Sequence, residues 1–164
     1  MIGPADAACR GSLGASGGST DVGDARTGVV SNVFQNSLGG IGIAVCLYFP
    51  GAPEAGRDCS PSTLTRRVNV PSGVPGVRTM LGTGPPDSGA RIPPSPRVAV
   101  TLATMGKDGV PSPIACAVPW DKRDLCTAAL TWWFVRATRK TAIAEADLDR
   151  VAARIAAYVA SARQ

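Results

Sequence analysis

The sequence predicts an α+β protein: a small antiparallel sheet or partial β-barrel, one C-terminal amphipathic helix and a flexible N-terminal arm. Three observations carry this reading. Between residues 28 and 120, several short segments alternate apolar and polar or small residues with period two, the spacing of half-buried strands. Leu148, Val151, Ile155, Tyr158, Val159 and Ala162 instead recur at helical spacing. Ahead of both, GASGGSTDVGDA has no apolar period and cannot bury enough surface to offset its ordering entropy.

The chain is long enough for one domain, read here as residues 28–164 behind an arm of residues 1–27. Its 164 residues include 19 Gly and 14 Pro but only three Trp, two Tyr and three Phe, so a small core is expected, completed by neighbouring chains. The net charge of +5 comes mainly from arginine and is weakly biased toward the C-terminal half. Met1–Thr20 lacks the basic start and apolar centre of a secretory signal. The longest strongly apolar run, Ile41–Phe49, falls far short of the ~20 residues a spanning helix needs. A soluble chain with no membrane span is the expectation.

Taken in order, Val29, Val30, Val33 and Phe34 suggest a short strand ended by Gly39-Gly40. Ile41, Ile43, Val45, Leu47 and Phe49 then alternate strictly with smaller residues and Tyr48, which predicts a second strand. Pro50–Pro61 is a loop dense in breakers. Leu64–Val70 alternates again, with Arg66 interrupting its apolar side, and reads as an edge strand; Val77–Leu81 reads as another short strand. Residues 82–96 carry five prolines and predict a linker or an extended strap. Arg97–Thr104 and Ser112–Trp120 predict a β-hairpin, its turn built by Met105-Gly106-Lys107-Asp108-Gly109 with Asp-Gly able to take positive φ. Pro113 and Pro119 would place the second of these strands at an edge. Leu125–Ala137 fits either period; its Trp and Phe content favours a strand, while Leu130, Trp133, Phe134 and Ala137 would share a helical face. Ala146–Ala162 predicts a helix, with Asp147 and Asp149 near its start and Arg163 near its end.

Chemistry is narrowed by an absence. There is no histidine, so Ser-His-Asp and Cys-His hydrolases, HExxH metalloenzymes and His-ligated haem or zinc sites are excluded. The glycine clusters at Gly14 and Gly39 lack the lysine, or the third glycine and following helix, of a phosphate loop. Asp147 and Asp149 lie two apart and would not share a helix face, so helix-start stabilisation accounts for them. Cys9, Cys46, Cys59, Cys116 and Cys126 are odd in number; without a secretory signal, five reduced and mostly buried thiols are expected, with local 46–59 and 116–126 bridges as the alternative. None of the cysteines forms a CxxC pair, so no metal site is expected. Trp132-Trp133-Phe134-Val135-Arg136 followed by Arg139 and Lys140 combines aromatics with positive charge, but no wider basic patch supports nucleic-acid binding, which is not expected.

VAVTLATMGKDGVPSPIACAVPW resembles the hairpin of flavin split-barrel proteins, in which a strand ending in LAT meets a DGxP turn and a second strand. LTWWFVRATRK is similar to that family's next strand and its basic turn. The resemblance covers about 45 residues. It implies FMN as cofactor, with Arg136, Arg139 and Lys140 contacting its phosphate, and a flavin-binding oxidoreductase.

With no catalytic set, little bulky core, a long arm and a proline-rich strap, the leading expectation is a non-catalytic structural or interaction subunit of a larger assembly, with no cofactor and with protein partners or self-association. Two alternatives are the flavin-binding split barrel and a small secreted, disulfide-stapled binding domain.

Overall fold

The computed structural model describes residues 3, 6–15, 17–35, 37–55, 59, 64–84, 92–138 and 143–164. Among them are seven strands: β1 (Cys9–Gly14), β2 (Gly17–Asp24), β3 (Gly28–Gln35), β4 (Thr65–Asn69), β5 (Arg78–Thr83), β6 (Arg97–Met105) and β7 (Pro111–Pro119). Three α-helices accompany them: α1 (Leu38–Tyr48), α2 (Arg123–Thr138) and α3 (Glu145–Ser161). The strands form one antiparallel sheet in the order β1-β2-β3-β7-β6-β5-β4. It is an open sheet with β1 and β4 at its edges, not a barrel.

The hairpin is as the sequence predicts. β6 and β7 pair along their whole lengths, from Arg97 opposite Pro119 to Met105 opposite Pro111, and Gly109 takes φ 68° in the turn. The edge expected for its second strand is not found, because β7 lies between β6 and β3. The prolines are tolerated there because β3 pairs only with residues 114–117, leaving Pro113 and Pro119 just outside that ladder. The Asn32 side-chain amide donates to the Pro113 carbonyl at 2.7 Å where the ladder stops.

Large residues of the central strands face one way and small ones the other. Val98, Val100, Leu102, Ile114, Cys116 and Val118 are buried beneath α2 and α3, against Leu130 and Phe134 of α2 and Val151, Ile155 and Val159 of α3. Complete burial of side chains such as Phe134, Leu130 and Ile155 contributes about 1.5–3 kcal/mol each. On the opposite face Ala103, Met80 and Met105 receive Ala44, Val45 and Tyr48 of α1.

Two segments read as strands are helices. At 41–49 both apolar sets are present, so period-two spacing does not exclude a helix that buries Gly40, Ala44, Val45 and Tyr48. Ser37 decides the start: its side chain accepts from the Gly40 amide at 3.1 Å, an N-cap. At 123–138 the helical set wins, since Cys126, Ala129, Leu130 and Phe134 fall on one face and are all fully buried. The helices therefore number three among the described residues, not one. The C-terminal helix lies within a residue of its expected bounds, and the edge strand at 65–69 and the strand from Arg78 are where the sequence places them.

The N-terminal region read as an arm contributes β1 and β2. Polar and glycine side chains conceal this, because backbone pairing with β3 rather than apolar burial places β2, and β1 is exposed along its entire length. Of the proline-rich strap at 82–96, residues 82 and 83 belong to β5, and residues 85–91 lie outside the described residues.

Candidate interaction surfaces

Cysteine pairing departs from the reduced state expected. Cys46 bonds Cys59, and Cys116 bonds Cys126, while Cys9 is free and exposed. The second bridge ties β7 to α2 inside the main core, where both cysteines are fully buried. Both local loops are short enough for proximity to bring the partners together, which is the alternative the sequence left open.

Among the described residues, no three Asp, Glu or Cys side chains gather as a metal site would require. Of the acidic residues expected near the start of the C-terminal helix, Asp147 forms an ion pair with Arg150 in the first turns of α3. Glu54 pairs with Arg78 at 2.7 Å, and this hydrogen bond holds its carboxyl below the usual carboxylate range. Arg67 donates to the Leu47 carbonyl at the end of α1, and burial lowers its pKa.

The aromatic and basic stretch does not converge. Phe134 points into the core, and the Trp133 indole donates to the Ser112 carbonyl at 3.2 Å. Trp132 lies outward with the Arg136 guanidinium 5.5 Å from its ring centroid. Of the residues that the resemblance assigns to a flavin phosphate, Arg136 thus sits over Trp132 in the last turn of a helix where that family has a strand. Arg139 and Lys140 lie outside the described residues.

Three surfaces remain for recognition. The first is α1, LGGIGIAVCLY, which carries no charge anywhere. Such a helix is normally enclosed on all sides. Here the sheet covers one side and, among the described residues, the other is bare: Leu38 is 91% and Ile43 69% exposed, and Cβ atoms placed at Gly39 and Gly42 would meet nothing within 4 Å. Sequence reasoning missed this surface because a strand would have put Ile43 on the buried face. The combination of a capping Ser37 with an uncharged run was the available signal.

The second is a groove of about 690 Å³ between α2 and α3, lined among others by Arg123, Thr127, Ala128, Trp132, Ala156 and Ala160. Nearby, Arg123 and Arg163 both stack on Trp120, at 5.0 and 5.4 Å from its ring centroid. The third is the outer edge of β1. Among the described residues no helix is long and apolar enough to cross a membrane. In comparison with known proteins, the chain matches no family model, no curated sequence and no solved structure.

Proposed function

We propose that the protein is a non-catalytic interaction subunit that docks a protein partner through α1. The observation that carries the reading is the bare side of this uncharged helix. Leu38, Gly39, Gly42 and Ile43 form an apolar strip that costs free energy while exposed to water, and the two glycines let a partner approach the helix backbone closely. The partner presents a complementary apolar face, since α1 offers no charge to recognise.

A photo-crosslinking side chain placed at Ile43 tests this in the native setting, with the exposed Arg154 of α3 as the control position. A discrete adduct of defined mass at 43, absent at 154 and lost in Leu38→Asp, supports the reading. Equal or absent labelling at both positions overturns it.

A second reading concerns where the subunit works. Four cysteines paired in two bridges favour a disulfide-stapled binding domain of an oxidising compartment over a cytosolic protein. Thiol titration of the denatured, unreduced protein should find Cys9 alone reactive. Five reactive thiols would remove this reading.

A further inference from the structure

The two edges of an antiparallel sheet present unpaired backbone donors and acceptors, and proteins ordinarily blunt them with bulges, charges or covering elements. β4 is blunted in all three ways. Its register shifts between Thr65 and Val68, Arg66 takes φ 48°, and two arginines reach across to α3 and α1. Among the described residues β1 has none of these devices beyond a single arginine. Its six residues, CRGSLG, pair with β2 in unbroken register and contain no proline.

The direction of its free groups follows from one bond. The Gly23 amide donates to the Ala8 carbonyl at 3.1 Å, so Ala8 and Gly23 are a hydrogen-bonded pair. Strict alternation then assigns Arg10–Asp21 and Ser12–Ser19 to the ladder. The N–H and C=O groups of Cys9, Gly11 and Leu13 therefore point away from β2, toward the open edge.

We infer that this edge pairs with the β1 edge of a second copy, antiparallel across a two-fold axis, to join two sheets into one. Backbone groups spaced every second residue select an extended strand as occupant. β1 is itself such a strand, and it is self-complementary. With Gly11 on the axis, Gly11 meets Gly11 of the second copy, and Cys9 and Leu13 meet each other twice. Every outward group is then satisfied, by about six main-chain hydrogen bonds. Arg10 meets Ser12 of the second copy rather than another arginine, and Leu13, 86% exposed in one copy, gains an apolar neighbour in the other's Cys9. No other register with the axis on a residue of β1 satisfies all three outward residues.

This inference concerns a different surface from α1 and stands whether or not α1 has a partner. Its test uses cysteines at the close, non-hydrogen-bonded pair. Two proteins, Cys9→Ser/Arg10→Cys and Cys9→Ser/Ser12→Cys, are mixed in a buffer containing oxidised glutathione. Across the interface the two Cα atoms would lie about 4.5 Å apart, within disulfide range. Two thiols and one glutathione disulfide yield one intermolecular disulfide and two reduced glutathiones. A cross-linked dimer in the mixture, exceeding either variant alone, is expected. Cross-linking of one variant with itself alone overturns the pairing.

Light scattering of the native protein gives the second readout. The solution mass should double as concentration rises. Leu13→Pro, which removes an outward donor and leaves the β1–β2 ladder intact, should hold the mass at that of a monomer. Leu13→Lys gives the same result if proline disturbs the strand. A native protein that stays monomeric at every concentration, with no cross-link, overturns the inference. Leu38→Asp leaves the doubling unchanged, which separates this surface from α1.

Discussion

The two edges of one sheet show opposite treatment. At β4, Tyr158 of α3 donates to the Arg66 carbonyl at 2.6 Å and bonds Thr83 at 2.9 Å, while Arg66 donates to the Ser161 carbonyl at 2.6 Å. From the other face, Arg67 reaches the end of α1. That edge is tied to both covering layers, by Tyr158 from α3 and by the strand's own Arg66 and Arg67. At β1 no layer arrives among the described residues, and all six of its residues are exposed. The helices cover β4 to β7 and leave the β1–β2 hairpin supported by its ladder to β3. A strand closed on both faces is committed to its own fold, whereas one held by its ladder alone remains available to another strand.

The largest test of this contrast compares cysteines from the two regions. Replacing Cys116 and Cys126 by alanine should cost about 3 kcal/mol, because the bridge closes a loop within the covered core. Cys9→Ser, on the bare edge, should leave the denaturant midpoint unchanged. Equal effects would abolish the distinction between the regions.

Tyr158→Phe comes next. It removes the hydroxyl that ties α3 to β4 and β5 and leaves the Arg66 carbonyl without that donor. A loss of about 1–2 kcal/mol is expected, with faster amide exchange confined to residues 65–69. Unchanged exchange there would mean that the bulge alone closes the edge.

The smallest effect belongs to the β2–β3 turn. The Asp24 carboxylate accepts from the Thr27 and Arg26 amides, both at 2.8 Å, and from the Thr27 hydroxyl at 3.0 Å. These bonds lower its pKa, the Thr27 amide most. A depressed carboxylate stabilises the fold above its unfolded pKa of about 3.9, and the contribution is lost as pH falls through the lower folded value. Asp24→Asn should therefore lower the thermal midpoint slightly at neutral pH, with the gap closing as pH falls below the usual carboxylate range. A gap that persists in acid would show that the turn does not depend on the charge.

How legible the molecule was depended on what positioned each element. β6 and β7 were readable because burial on one face imposes alternation and Asp108-Gly109 supplies the turn. β4 was readable as an edge because Arg66 interrupts its apolar side. α1 and α2 were not readable as helices, since α1 is apolar on every side and α2's apolar residues fit both periods, so the choice falls to a cap and to tertiary burial. Of the surfaces, the α1 strip could not be seen while Ile43 was assigned to a buried strand face. The β1 edge could not be seen because its residues carry no apolar signal.

By itself, the sequence determined the absence of histidine chemistry, the central hairpin, the edge strand and the C-terminal helix. Each of these follows from residue type or from spacing within a few positions. Only the tertiary structure decided which face of α1 lies bare, which cysteines pair, that the sheet stays open, and that β1 lacks the closure given to β4. Those outcomes depend on contacts between residues far apart in sequence. Arg66 meets Ser161 and Asn32 meets Pro113 only after the chain has chosen its strand order. Local propensity does not encode that order; helix packing against β4 to β7 and backbone pairing at β1 to β3 set it.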